Sequence, residues 1–200
     1  MFAQRYGRVV GVDASVGMLA AARRRLAGHD NVELVGGDAL TVALDGEFQG
    51  VLLGGLLMYL DRADAVALLV RLGSLAPRGR IILRESGVRS GVEVQTGTYQ
   101  VVYRSLEEYE AMAAEAALRV VAVERNRGYA HMEIAVALVN LARRLPPLAR
   151  RDAVAVGGPL WRLLRATAPV TLELVPRAIG AGGLDWPHLT NNFLLLEAGP

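Results

Sequence analysis

The sequence predicts an α/β fold with a parallel sheet, and three features support this. Short, continuous apolar runs alternate with amphipathic stretches that have helical periodicity. The apolar runs lack the alternation of a half-exposed strand, which is typical of parallel strands buried on both faces. Turn residues such as Gly28 and Pro77 separate the elements. A chain of 200 residues fits one domain, or one domain with an insertion.

The order of elements follows from the same periodicities. Strands are predicted at residues 8–12, 32–35, 50–53, 80–83, 118–124 and 192–197. Helices are predicted at residues 16–27, 63–76, 106–117 and 130–145, with shorter pieces at 160–168 and 172–179. Ser15, Asp61 and Ser105 precede helices as N-caps. Residues 87–98 are rich in glycine and are predicted to be irregular.

A helical stretch, residues 128–187, separates the last two predicted strands. We therefore predict a single domain over residues 1–200 that contains this stretch as an insertion. Two interpretations stay open. The insertion is either a solvated lid or dimer surface, or a cap that selects the substrate.

Composition excludes several classes of protein. There is no cysteine, so disulfides, cysteine-bound zinc and a thiol nucleophile are excluded, and a reducing compartment is favoured. All 22 basic residues are arginine, but no basic run has interleaved aromatics, so nucleic-acid binding is not predicted. The start lacks a signal-peptide pattern, and no segment reaches the ~18 apolar residues of a membrane span. We expect a soluble cytoplasmic protein without a membrane partner.

Two acids follow neighbouring predicted strands. Asp13 ends the first strand, and Asp38 follows the second in the sequence GGDAL. In doubly wound folds, an acid at the end of a strand hydrogen-bonds the ribose hydroxyls of a nucleotide cofactor. Each residue alone also fits a structural role, Asp13 as a helix cap and Asp38 as a turn residue. Two acids in this order favour a cofactor site.

Four quoted runs together resemble a known family. They are VVGVDASVGMLAAAR, VELVGGDAL, VLLGGLLMYL and LAPRGRIILRES. At this spacing they resemble the class I S-adenosylmethionine-dependent methyltransferases, from about residue 2 to residue 86 and more loosely through the last two strands. The resemblance implies a Rossmann-like doubly wound sheet and S-adenosylmethionine as the cofactor.

The resemblance also implies the cofactor-binding residues in the first part of the chain. Asp13 would bind the ribose of S-adenosylmethionine. Ala14 and Met18 would line the adenine pocket, and Asp38 and Ala39 would hold the adenine edge. For Met18 the alternative is a place in the core, because it lies at core spacing on its predicted helix.

After the third predicted strand, the resemblance implies a role for Gly54 and Gly55. Their backbone would approach the methionine part of the cofactor and the transferable methyl group. The alternative is that the two glycines only form a tight bend.

The acceptor side offers several candidates for binding or catalysis, namely Tyr59, Glu85, Tyr99, Tyr103, Arg104, His131 and His188. The runs LRES and YQVVYRS resemble phosphobase methyltransferases, so Tyr103 and Arg104 would bind an anionic acceptor. The alternative is that Tyr103 packs under the insertion and Arg104 pairs with Glu107 or Glu108. His131 opens a predicted helix as a third catalytic candidate, and no histidine–carboxylate spacing predicts a metal.

The predicted function is methyl transfer to a small-molecule acceptor, at oxygen or nitrogen. One alternative is a nicotinamide-dependent oxidoreductase, which shares the acid at the end of a strand. Another is a truncated or degenerate methyltransferase-like protein that acts only by association, for instance as a homodimer. The acceptor and the role of the insertion do not follow from the sequence.

The family carries a glycine-rich loop after its first strand, and a position about 20 residues before Asp13 falls upstream of Met1. We therefore expect the first strand, this loop and most of the first helix to be missing, with Met1 an internal methionine.

This expectation gives a first prediction. The 200-residue chain binds S-adenosylhomocysteine more weakly than the same chain extended upstream in its own reading frame, because a wall of the cofactor site is missing. Calorimetric titration of both chains measures the difference. Micromolar binding by the 200-residue chain would contradict the prediction.

Overall fold

The computed structural model describes residues 2–142 and 188–199, with a few single positions between them. Two compact units make up the chain, Met1–Glu47 and Phe48–Pro200. The predicted single domain over residues 1–200 stays a prediction. Most of the predicted insertion at residues 128–187 lies outside the described residues, as do the helical pieces at 160–168 and 172–179, apart from single positions. In the described part, no helix is long and apolar enough to cross a membrane.

The first unit is a small β–α–β arrangement. It contains β1 (Val9–Asp13), α1 (Val16–Leu26) and β2 (Val32–Gly36). The two strands are parallel and end together, since Asp13 lies opposite Gly36. The hydroxyl of Ser15 caps α1 by accepting a hydrogen bond from the Met18 backbone N–H at 3.3 Å.

The second unit holds the remaining elements. They are β3 (Gly50–Gly54), α2 (Arg62–Leu75), β4 (Arg80–Gly87), β5 (Val92–Gln95), β6 (Val101–Arg104), α3 (Leu106–Glu115), β7 (Leu118–Arg125), α4 (Arg127–Ala142) and β8 (Thr190–Ala198). A four-stranded sheet has the order β3-β4-β8-β7, with β3 parallel to β4 and β8 antiparallel to both of its neighbours. The strands β5 and β6 form a separate antiparallel pair, and a 3₁₀ turn (Leu57–Tyr59) follows β3.

The core of the second unit is made of leucine, isoleucine, methionine and alanine side chains from the central strands, the 3₁₀ turn, α2, α3 and α4. The members exposed by 1% or less are Leu57, Ala65, Leu68, Leu69, Ala76, Ile81, Leu83, Met112, Ala113, Ile134, Leu194 and Leu196. A large apolar side chain contributes roughly 1.5–3 kcal/mol when it is fully buried. This core fixes the carboxyl ends of β3 and β4, where the candidate site lies.

The α/β class predicted from the sequence is confirmed, and three local differences have physical reasons. The strand β4 continues past the predicted end at residue 83, because its polar end pairs with β8. The strand β8 is antiparallel, and its Asn191 and Thr190 hydrogen-bond Ser86 and Gly87 at that end. The hairpin β5–β6 lies partly in the segment predicted to be irregular, since its valines at 92 and 94 alternate on an exposed strand.

Gly87 gives a test of how tightly β4 lies against β6. A Cβ atom at this position would collide with the Arg104 carbonyl oxygen, so the backbone must shift. Gly87→Ala should therefore lower the free energy of unfolding by about 1–3 kcal/mol, the usual cost of overpacking. Urea unfolding measures this loss. The control is Gly97→Ala, whose nearest atom would be the Tyr99 carbonyl oxygen at an ordinary 3.9 Å; equal losses in both variants would contradict the prediction.

Candidate functional site

Asp13 and Asp38 lie at the same edge of the two-stranded sheet. Asp13 ends β1 opposite Gly36, and the Gly37 backbone N–H donates to the Asp13 carbonyl oxygen at 3.2 Å. The carboxylate of Asp13 accepts from the Ser15 backbone N–H at 2.8 Å, and that of Asp38 accepts from the Leu40 backbone N–H at 2.9 Å. Both side chains are exposed. One oxygen of each carboxylate is therefore held by the backbone, while the side chain stays accessible to a ligand.

The neighbours of these acids are also accessible. Ala14 is exposed and Ala39 is half-buried. Met18 is 61% exposed, so its alternative place in the core is wrong. The first turn of α1 points Met18 away from the face where Leu19 is buried. An exposed methionine beside a strand end suits contact with a flat aromatic ligand.

In the second unit, Gly54 and Gly55 lie against Arg84 on the neighbouring strand. Gly55 has a positive φ of 68°, and its backbone N–H donates to the Arg84 carbonyl oxygen at 2.8 Å. A Cβ atom on Gly54 would lie 3.6 Å from the Arg84 guanidinium. The pair therefore forms a bend with Gly55 in the left-handed conformation, and the exposed Gly54 leaves backbone that a ligand can approach.

Glu85 is a buried acid next to this bend, 1% exposed. One carboxylate oxygen accepts from the backbone N–H groups of Leu56 and Leu57 at 3.2 and 3.4 Å. Its other oxygen, Oε2, is buried and has no hydrogen-bond partner in the described part of the chain. Burial raises the pKa of Glu85 to about 7, although the two N–H groups oppose that shift.

Arg104 is hydrogen-bonded to the Leu57–Tyr59 turn and to the residue that follows it. Its guanidinium donates to the carbonyl oxygens of Leu57 at 2.7 Å and Leu60 at 2.8 Å, and the residue is 2% exposed. The alternative in which Arg104 pairs with Glu107 or Glu108 is therefore wrong. Ser105 instead caps α3 by accepting from the Glu108 backbone N–H at 3.4 Å, and the Glu108 carboxylate accepts from Arg62 at 2.9 Å.

Hydrogen bonds extend from Glu85 along the end of β4. The Asn191 side-chain amide donates to the Ser86 hydroxyl at 3.1 Å, and the Asn126 amide donates to the Asn191 side-chain oxygen at 2.8 Å. The Tyr109 hydroxyl donates to the Ser86 carbonyl oxygen at 3.1 Å. Burial raises the pKa of Tyr109 well above its usual range. This network fixes the polar end of β4 through neutral side chains.

Burial and neighbouring acidic groups raise the pKa values of two tyrosines at this end of the sheet, Tyr103 and Tyr129. Burial raises the pKa of Tyr103, and Glu133, Tyr59 and Glu93 raise it further. Burial also raises the pKa of Tyr129, while its interaction with Ser86 lowers that pKa and Glu133 raises it. Glu93 lies directly across the hairpin from Tyr103.

Of the two predicted histidines, only His188 has a side chain among the described residues. His131 lies in α4, but its side chain is outside the described residues. The Nε2 atom of His188 lies 2.6 Å from a carboxylate oxygen of Glu93. A hydrogen bond from Gln95 lowers the pKa of Glu93 most, and the hydrogen bond with His188 lowers it further. His188 therefore ties the hairpin to the segment before β8.

Sequence reasoning missed Tyr129, Glu133 and Glu93. Tyr129 and Glu133 are four residues apart on α4 and so share a face, a spacing that was available in the sequence. Glu93 falls in the segment predicted to be irregular, so its position across from Tyr103 had no sequence signal.

A family model described as a methyltransferase domain matches residues 1–79. No curated protein sequence matches the chain. The match contains the strand-end acids and the Gly54–Gly55 bend.

Three solved structures are similar to the chain. The O-methyltransferase of a trans-AT PKS multienzyme of Brevibacillus brevis, in complex with S-adenosyl-L-homocysteine, has a TM-score of 0.61 and 14% identity, covering 96% of this chain and 59% of that one. The glycopeptide N-methyltransferase MtfA, complexed with S-adenosylmethionine, has a TM-score of 0.52 and 21% identity, covering 62% of this chain and 67% of that one. The [4+2]-cyclase SpnF has a TM-score of 0.61 and 15% identity, covering 99% of this chain and 70% of that one.

The chain therefore has the fold of the class I S-adenosylmethionine-dependent methyltransferases, as its sequence predicts. It spans 59% of the length of the Brevibacillus enzyme. Because a cyclase shares the fold, the fold alone does not define the reaction, which has to be argued from the site.

Glu85 generates a prediction about stability. A carboxyl group whose pKa rises on folding from 4.5 to about 7 keeps its proton in the folded state while the unfolded chain loses it. Its contribution to stability is therefore complete below pH 4.5 and is lost as the pH rises through 7, by roughly 3 kcal/mol in total. Glu85→Gln stays neutral and should lose none of this.

Thermal unfolding of the two proteins at pH 5 and pH 8 measures the effect. We expect the glutamine variant to gain stability over the native protein at pH 8 and to show little difference at pH 5. Glu110→Gln, an exposed acid on α3, is the control. The same pH dependence in native protein and Glu85→Gln would contradict the prediction.

Proposed function

We propose that the protein transfers a methyl group from S-adenosylmethionine to a small-molecule acceptor. The observation that carries this proposal is the shared edge at which Asp13 and Asp38 end a β–α–β unit inside the matched segment. S-adenosylmethionine supplies a methyl group on a positively charged sulfur, so catalysis depends mainly on holding an acceptor in line with it.

The residues at the edge of the first unit fit the nucleoside part of the cofactor. The Asp13 carboxylate would accept hydrogen bonds from the two ribose hydroxyls, and Asp38 would accept from the adenine amino group. Both carboxylates are oriented by a backbone N–H two residues further along, so little side-chain entropy is lost on binding. Ala14, Met18 and Ala39 would supply the surface that contacts the adenine ring.

In the second unit, Gly54 and Gly55 stay the residues that the resemblance implies for the methionine part of S-adenosylmethionine. The bend exposes backbone, and the neighbouring Leu57–Tyr59 turn is held by hydrogen bonds to Glu85 and Arg104. In this proposal Arg104 is a positioning residue, because its guanidinium is buried and bonded to carbonyl oxygens. Tyr103 is the predicted catalytic candidate whose surroundings suit contact with an acceptor.

Cofactor titration also tests the two alternatives to methyl transfer. An oxidoreductase would bind reduced nicotinamide cofactor, and a protein that acts only by association, for instance as a homodimer, would bind neither cofactor. A cytoplasmic location remains part of the proposal, as does a small-molecule partner rather than a nucleic acid.

Substitution of the two acids tests the proposal. In whichever of the 200-residue and extended chains binds S-adenosylhomocysteine more tightly, Asp13→Asn and Asp38→Asn should each weaken binding about tenfold or more. The reason is that a hydrogen bond to a charged group is worth roughly 1.5–3 kcal/mol. Asparagine keeps the oxygen that accepts the backbone N–H, so the local fold should persist.

The control is Asp30→Asn, the same change at an exposed acid that precedes β2. It should leave the calorimetric affinity unchanged. Equal affinity in Asp13→Asn and the native protein would contradict the assigned ribose contact. Binding of reduced nicotinamide cofactor in place of S-adenosylhomocysteine would overturn the proposed function.

A further inference from the structure

We propose that Arg84 binds the α-carboxylate of the methionine part of S-adenosylmethionine, beside the Gly54–Gly55 bend. The resemblance assigns that part of the cofactor to the two glycines and assigns nothing to Arg84. The inference rests on the proposed function and adds a residue to its cofactor site. It supplies the positive charge that a bend of bare backbone lacks.

The guanidinium of Arg84 lies against the bend. Arg84 on β4 is the register partner of Gly54 on β3, and the Gly55 backbone N–H donates to the Arg84 carbonyl oxygen at 2.8 Å. A Cβ atom on Gly54 would lie 3.6 Å from Nη2 of Arg84 and 3.8 Å from both Cζ and Nε. One on Gly55 would lie 3.9 Å from Nη2. These van der Waals distances place the guanidinium across the end of β3, at the two residues implied for the methionine part.

The same guanidinium is available to a ligand. Arg84 is exposed, and its side chain makes no hydrogen bond or ion pair with the residues that the structure describes. Two other arginines of the second unit are already bonded. Arg104 on β6 donates to two backbone carbonyl oxygens, and Arg80 on β4 lies 3.5 Å from a Glu197 carboxylate oxygen. The N–H donors of Arg84 therefore remain for a bound molecule.

The neighbours of Arg84 do not neutralise its charge. On its face of the sheet, Ile82 precedes it on β4, and its register partner on β8 is Phe193, so both of these neighbours are apolar. The next residue, Glu85, is buried and accepts its hydrogen bonds from backbone N–H groups. Burial raises the pKa of Glu85 and the charge of Arg84 opposes that shift, although the two side chains form no ion pair. A bound carboxylate would therefore meet an unpaired cation.

A carboxylate is the group that this arrangement fits. The planar guanidinium presents parallel N–H donors that match the two oxygens of a carboxylate. Because the side chain already contacts the end of β3, less rotamer freedom is lost on binding than for an arginine that extends into solvent. The methionine part of the cofactor carries one α-carboxylate, and the resemblance names no side chain for it.

A matched pair of ligands tests the proposal by calorimetry. S-adenosylhomocysteine carries the α-carboxylate, whereas its decarboxylated analogue keeps the adenosine, the thioether and the amine. The protein is whichever of the 200-residue and extended chains binds S-adenosylhomocysteine more tightly. Arg84→Gln should weaken S-adenosylhomocysteine binding about tenfold or more, because charged hydrogen bonds to the carboxylate are lost. The decarboxylated analogue should bind Arg84→Gln and the native protein with equal affinity.

The control is Arg80→Gln, the same change at an exposed position four residues earlier on β4, which should leave both affinities unchanged. An equal loss of affinity for both ligands in Arg84→Gln would overturn the assignment, since it would indicate disturbed structure and not a lost carboxylate contact.

The remaining outcomes separate this proposal from the proposed function. If S-adenosylhomocysteine binds Arg84→Gln as tightly as the native protein, the carboxylate assignment fails and the proposed function stands. If S-adenosylhomocysteine binds neither the 200-residue chain nor the extended one, the proposed function fails and the carboxylate assignment fails with it.

Discussion

The Leu57–Tyr59 turn is held by the buried side chains of Glu85 and Arg104, which come from two different strands, and the site in the second unit depends on this arrangement. Glu85 accepts hydrogen bonds from the backbone N–H groups of Leu56 and Leu57, and the Arg104 guanidinium donates to the carbonyl oxygens of Leu57 and Leu60. Leu57 is therefore bonded to both side chains, to Glu85 through its N–H and to Arg104 through its carbonyl oxygen. Because both side chains are buried, moving the turn would leave buried polar groups unpaired, which is costly.

This arrangement explains how residues that are far apart in the sequence come to lie on elements that are bonded to each other. The turn follows the Gly54–Gly55 bend, so fixing it also fixes the backbone proposed to meet the reactive end of the cofactor. The same turn carries Tyr59, and Arg104 directly follows Tyr103. Glu85 and Arg104 therefore position the proposed cofactor bend together with the elements that carry Tyr59 and Tyr103.

Much of the fold could be predicted from the sequence because local signals agreed with the packing. The β1–α1–β2 unit has continuous apolar strands, a Ser15 cap and an acid at the end of each strand, and all of these are found where the sequence predicts them. The hairpin β5–β6 could not be predicted, because its exposed valines and surrounding glycines resemble a loop. Its pairing depends on contacts with β4 and the 3₁₀ turn.

The candidate site was predictable only in part for a related reason. Asp13 and Asp38 carry a positional signal, since parallel strands that end together bring their following residues to one edge. For Arg104 the local sequence was misleading, because two glutamates follow it closely and suggest an ion pair. Its hydrogen-bond partners in the structure, Leu57 and Leu60, are 47 and 44 residues away in the sequence. Tyr129 and Glu133 needed the packing of α4 to be recognised, and the sequence alone gives only their shared face.

The most direct test of the account as a whole follows labelled methyl groups. The protein would be incubated with S-adenosylmethionine carrying a labelled methyl group and a small-molecule extract of the cells that produce it, and the products separated chromatographically from unreacted S-adenosylmethionine. We predict label in a small molecule that elutes apart from S-adenosylmethionine and that is absent when the protein is left out. No transfer of label to any small molecule would contradict methyl transfer.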